Sequence, residues 1–81
     1  MTKQSDKIDI HLGNKIRKRR RRIGITREEL AKAIPCYVSD LMKWEEGRAR
    51  IGSGNLYKIS LKLDVGIIDL FEGFEQADVV N

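Results

Sequence analysis

Between Thr26 and Gly47 the chain has room for two short helices and almost nothing to join them. Thr26-Arg-Glu-Glu29 has the spacing of a capping box, in which a threonine hydroxyl and a glutamate carboxylate satisfy each other's free backbone N–H groups. Further on, Pro35 disfavours helical geometry in the residue before it. The helix entered at Thr26 is therefore expected to turn Leu30, Ala31 and Ile34 inward and to stop at about Ala33 or Ile34. A second helix is expected from about Tyr37 to Glu46, with Leu41 and Trp44 inward and Gly47 as its stop. Helices joined by so few residues cannot run antiparallel comfortably, and Ala31 is small where their backbones must approach. The pair reads as a helix-turn-helix.

Three further helices fit around it. Leu12, Ile16 and Ile23 share one face of a helix beginning near Asp9, with Gly24 as a left-handed stop. Leu56, Ile59 and Leu63 mark a fourth helix, ending at Asp64, which tolerates the left-handed conformation better than most residues. Gly66 to Glu72 reads as a short fifth helix carrying Ile67, Ile68, Leu70 and Phe71, closed by Gly73. No segment alternates with the period of a half-buried strand, so the class is all-α. A chain of 81 residues has room for one core. The expected organisation is a polar arm over 1–8, a helix-turn-helix domain over 9–73 and a tail over 74–81.

Charge is divided unevenly along this layout. Residues 1–50 carry 14 Lys/Arg against 7 Asp/Glu, and residues 51–81 carry 2 against 5. Such asymmetry suits a basic face for a polyanion, nucleic acid first and a membrane surface second, with an acidic end held away from it. Cys36 is the only cysteine, which precludes an intrachain disulfide, and His11 has no second ligand at metal-binding spacing. No metal or other cofactor is expected. No apolar run is long enough to span a bilayer and the N-terminal MTKQSDK lacks the apolar stretch of a signal peptide, so a cytoplasmic setting without a membrane partner is expected. No paired carboxylates, nucleophile–base pair or phosphate-cradling loop can be assembled, and Gly52-Ser-Gly54 is too short a glycine motif to count, which argues against an enzyme.

Leu30-Ala-Lys-Ala-Ile-Pro-Cys-Tyr-Val-Ser-Asp-Leu-Met-Lys-Trp-Glu-Glu-Gly47 resembles the phage-repressor, Cro-like helix-turn-helix family of the xenobiotic response element type. The resemblance extends from Ile16 through Arg20, Gly24 and Thr26, across Gly47 to Ser60, and on to Leu63-Asp-Val65 and Leu70. It implies a five-helix repressor-like DNA-binding domain whose third helix lies in the major groove of double-stranded DNA. It further implies a transcriptional regulator acting as a homodimer on a near-palindromic operator. By the same resemblance Tyr37, Val38, Ser39 and Lys43 stand at the positions that face base edges. Val38 suits a thymine methyl, Ser39 several bases and Lys43 guanine O6/N7, while Tyr37 can equally bond a phosphate; Asp40 and Met42 are weaker candidates. The chain departs from the family pattern at Pro35, where glycine is common and the ring is expected to hold φ negative. Cys36-Tyr37 also stands where a Ser/Thr usually caps helix three. A reshaped turn is expected.

The run Arg17-Lys-Arg-Arg-Arg-Arg22 would wrap the whole circumference of a helix, so one member must face inward. Arg20, four beyond Ile16 and three before Ile23, is that residue, and it needs a carboxylate. Glu45 is the expected partner, and the resembled family carries an Arg–Glu pair at these two positions, tying helix one to helix three and setting the arginine near phosphate. Arg17, Arg20, Arg27, Lys32, Arg48 and Arg50, together with Lys15 and with Lys3 and Lys7 in the arm, are expected at phosphates, with plain surface charge as the alternative for each. Cys36 is expected to pack in the turn. Ile67, Ile68, Phe71 and Phe74 are more apolar than a short exposed helix requires; they form either a dimer interface or the closure of the monomer's own core. No small-molecule ligand is expected. Two other functions fit the same residues: an antitoxin-like protein-interaction module that also binds its own promoter, and a polybasic RNA or membrane-surface binder without sequence preference.

Overall fold

The computed structural model describes residues 6–74. Lys3, and the tail after Phe74, lie outside the described residues. The described chain forms α1 (Lys7–Ile23), α2 (Arg27–Ala33), α3 (Val38–Glu45), α4 (Ser53–Lys62) and α5 (Ile67–Phe71), with no strand among the described residues. The all-α, five-helix class read from the periodicities is the class observed.

The helices begin and end where local chemistry satisfies their free backbone groups. α1 starts before Asp9 because the Asp9 carboxylate reaches back to accept the Asp6 N–H at 3.4 Å, making Asp6 the N-cap. It ends at Gly24, whose φ of 90° lets its N–H return to the Arg20 carbonyl at 3.0 Å. At the start of α2 the capping box is complete: Glu29 N–H donates to Thr26 Oγ1 at 3.0 Å, and Thr26 N–H donates to Glu29 Oε1 at 2.8 Å. α4 closes through Asp64 at φ 55°, which turns the Val65 N–H back to the Ser60 carbonyl. Arg19 of α1 donates to the carbonyls of Leu63 and Asp64 there, at 3.0 and 2.9 Å.

One apolar core joins all five helices: Leu12 and Ile16 of α1, Leu30 and Ala31 of α2 with Ile34 just after it, Leu41 and Trp44 of α3, Leu56 and Ile59 of α4 with Leu63 at its end, and Leu70 of α5, with Ile51 from the loop. Ile23 departs from the expected face. It is exposed, because α1 ends there and Ile25, beyond the Gly24 turn, packs on the core instead.

The contact that orients α3 is made by backbone. A Cβ added to Gly13 would sit 2.2 Å from the Trp44 carbonyl oxygen and 2.8 Å from that of Glu45. One at Gly47, where φ is 74°, would meet the Ile10 Cα at 2.7 Å. Glycine at both positions allows α3 to lie directly on α1.

The turn between α2 and α3 corrects the expectation drawn from Pro35. Its φ is 24°, on the positive side, rather than near the −65° its ring favours. The Cys36 N–H closes the turn on the Ala31 carbonyl at 3.0 Å. The chain thus holds a glycine-like turn geometry with proline in place. α3 then begins at Val38, one residue later than expected, with Tyr37 as an extended N-cap that makes no side-chain capping bond.

Candidate nucleic-acid interface

Leu41, Trp44 and Glu45 fix the inner face of α3. Val38 lies three residues before Leu41 and seven before Glu45, so it falls on their side; it is half-buried against the core, not outward. The outward positions recur at the complementary spacing, with Ser39, Lys43 and Glu46 exposed and Met42 half-buried beside them. Tyr37 stands at the head of this stripe, 79% exposed. Of the four residues expected at base edges, the structure brings Tyr37, Ser39 and Lys43 to one surface and turns Val38 inward. Glu46 was missed, although its place seven residues after Ser39 was legible once the helix phase was set by Leu41.

Behind this surface lies a buried ionic cluster. Glu45 is 1% exposed. Arg20 donates to it twice, from Nε to Oε2 at 2.7 Å and from Nη2 to Oε1 at 3.1 Å, and its Nη1 donates to the Ile25 carbonyl at 2.9 Å. Arg27 of α2 adds a third bond to Glu45, Nε to Oε1 at 2.9 Å. A sealed carboxylate is tolerable only when its oxygens are met by matched donors, and two guanidinium groups supply them. The cluster joins α1, α2 and α3 at one point and carries one surplus positive charge toward the rim. That Arg27 would join it was not legible, since α2 is brought beside Glu45 only by packing.

The other cations expected at phosphates are also largely committed within the chain. Arg17 donates to the Asn14 side-chain oxygen, and Arg48 Nε to Glu46 at 2.8 Å. Arg50 binds Asp9 through Nε at 2.7 Å and Asp6 through Nη2, tying the α3–α4 loop to the start of α1. The hydrogen bond and the charge of Asp9 push the Arg50 guanidinium pKa up, so its positive charge is secure. Lys32, on α2, and Lys43 make no ion pair among the described residues and are exposed. Cys36 is half-buried in the turn, its thiol pKa raised by burial and by the neighbouring Asp40 charge.

At the other end of the domain the apolar residues of α5 separate. Ile67 and Phe71 pack on the core, and the Phe74 ring lies 5.5 Å from that of His11, whose Nε2 is 2.9 Å from the Glu72 carbonyl. Ile68 is 82% exposed, and on α4 Tyr57 and Leu61, one turn apart, are exposed as well. Three of the four residues expected at a dimer interface therefore face their own domain, and two others on α4 stand free. Leu56, Ile59 and Leu63 already occupied the inner face of α4, which left Tyr57 and Leu61 for the outside. No group of three metal-ligating side chains occurs among the described residues, and no helix among them is long and apolar enough to cross a membrane.

The chain is 36% identical over 70 residues to an uncharacterized HTH-type transcriptional regulator of Sinorhizobium medicae, an alignment covering 86% of this chain and 50% of that protein. The chain thus spans about half the length of that curated relative. Among solved structures it resembles the clp gene regulator ClgR of Corynebacterium glutamicum, with a TM-score of 0.78 and 27% identity over 82% of this chain and 70% of that one. It also resembles the restriction-modification controller protein C.AhdI of Aeromonas hydrophila, with a TM-score of 0.74 and 25% identity over 78% of this chain and 96% of that one. No family model matches the chain. The fold is that of the helix-turn-helix regulators, with α2 and α3 as the motif.

Proposed function

We propose that this chain, similar over most of its length to proteins named as helix-turn-helix transcriptional regulators, binds double-stranded DNA sequence-specifically and regulates transcription as a homodimer on a near-palindromic operator. The observation that carries the reading is the outward stripe of α3, in which Ser39, Lys43 and Glu46 are exposed on a short helix held rigidly from behind by Gly13 and Glu45. A rigid helix with free polar groups along one edge fits the major groove, where each base pair presents its own donor and acceptor pattern. Lys43 donates to guanine O6 or N7, Ser39 serves either donor or acceptor, Met42 offers an apolar contact to a thymine methyl, and Glu46 accepts from cytosine N4 when released by Arg48. Tyr37 and Lys32 meet phosphate. Arg27, Arg48 and Arg50 contribute charge to the rim, and Arg20 mainly holds Glu45 and positions α3.

Two copies would place their recognition helices about 34 Å apart, one turn of duplex. Tyr57, Leu61 and Ile68 form the surface through which we pair them. Selection from a random duplex library, followed by affinity measurements on the winner and on scrambled DNA across a salt series, tests the reading. A two-fold symmetric consensus that Lys43→Ala relaxes at one position per half-site supports it. Failure to enrich any sequence, with steep salt dependence throughout, leaves a non-specific polyanion binder and overturns it.

A further inference from the structure

On the side of α1 turned away from α3 lies a second basic surface that DNA recognition by α3 does not use. Gly13 and Arg20 mark the side of α1 that meets α3. At 3.6 residues per turn, Lys15, Lys18 and Arg22 project from roughly the opposite side. They border a cleft of 330 Å³ between α1 and α5 whose other wall carries Asp69 and Glu72, with the half-buried Val65 contributing apolar surface. That size lies within the usual range of small-ligand pockets. Arg19, also at the cleft, is committed to the Leu63 and Asp64 carbonyls and fixes its floor to the end of α4. Lys15, Lys18 and Arg22 make no ion pair among the described residues, with Asp69 and Glu72 or with any other group. The cleft is thus two-sided: unpaired cations face unpaired carboxylates across an apolar strip.

We propose that this cleft binds a nucleoside polyphosphate. Its phosphates lie on Lys15, Lys18 and Arg22, which provide charge-assisted donors; its ring lies against Val65, and its amino and hydroxyl groups donate to Asp69 and Glu72. A bare phosphate chain satisfies only the first wall, and a neutral nucleoside only the second. The binding is a property of the α1–α5 face alone and does not depend on the DNA reading.

The test is an NMR titration of the ¹⁵N-labelled full chain with ADP and with inorganic pyrophosphate at constant ionic strength and without divalent metal. Saturating shifts confined to the amides of Lys15–Arg22 and Asp69–Glu72 are expected, with ADP binding about tenfold more tightly than pyrophosphate. The double variant K18Q/R22Q should weaken both ligands by about tenfold or more while leaving the thermal midpoint unchanged, and D69N/E72Q should bring ADP down to the level of pyrophosphate. Shifts that fail to saturate, that sodium chloride reproduces, or that centre on Thr26, Arg27 and α3 overturn the proposal. So does equal affinity for ADP and pyrophosphate, or a K18Q/R22Q variant that keeps ADP affinity but flattens the salt dependence of duplex binding, since the stripe would then serve the DNA backbone.

Discussion

Glu45 is the residue on which the most geometry converges, because its sealed carboxylate is the common acceptor for an arginine from α1 and another from α2. Replacing it by alanine would leave Arg20 buried with a single remaining acceptor, the Ile25 carbonyl. Glu45→Ala is expected to cost about 3–5 kcal/mol in urea unfolding, the penalty for stranding a buried charge. Cys36 tests the turn by chemistry. Burial, and then the Asp40 charge, push its thiol pKa up, so the thiolate is scarcer in the folded chain than in the unfolded one. Alkylation by iodoacetamide at neutral pH should be slower for native protein than for protein in denaturant, and should accelerate only at more alkaline pH. The linkage has the same sign: the stability this thiol contributes is intact below its unfolded pKa and is lost as pH rises through the higher folded value. Both residues were singled out from the sequence, Arg20–Glu45 because an arginine in an apolar helical phase demands a carboxylate. Val38 sits half-buried against the core because its spacing to Leu41 and Glu45 sets it toward the inner side of α3.

At the level of elements, the fold depends on how closely helices approach. Gly13→Ala would drive a methyl into the carbonyls of Trp44 and Glu45, and α3 would have to retreat from α1. A loss of about 1–3 kcal/mol is expected in equilibrium unfolding, together with weakened DNA binding because the recognition stripe is displaced. That the α2–α3 turn would keep a glycine-like shape was not legible from Pro35 alone, since a local preference is overridden when α2 and α3 are both anchored in one core.

Across the whole molecule the exposed polar, charged and apolar groups separate onto different faces. The α3 stripe points one way, the α1–α5 cleft lies on the other side of α1, and the exposed apolar residues Tyr57, Leu61 and Ile68 occupy α4 and α5. If these three pair two copies, Leu61→Arg with Ile68→Glu should convert a dimer to a monomer in sedimentation without lowering the unfolding midpoint measured at monomer-forming dilution. Affinity for a two-fold operator should fall far more than affinity for a half-site, because linkage of the two modules is lost. A dimer that persists in this variant would move the interface elsewhere.

Short-range periodicity and capping suffice to read five helices, the capping box at Thr26, the stops at Gly24 and Gly47, and the inward arginine in need of a carboxylate from residue order alone. These follow from interactions within a turn or two of helix, where residue type and spacing suffice. Which cations remain uncommitted depends instead on long-range packing. Arg27, Arg48 and Arg50 are expected at phosphate by residue type, yet Arg27 meets Glu45 and Arg50 meets Asp6 and Asp9 because folding brings distant segments together, and Arg48 is held by Glu46 through the shape of its loop. The same holds for the cleft, whose cations and carboxylates lie some fifty residues apart in the chain and share a wall only once α5 packs on α1. A long guanidinium or ammonium side chain reaches many partners, and which one it finds depends on packing rather than on its neighbours in sequence.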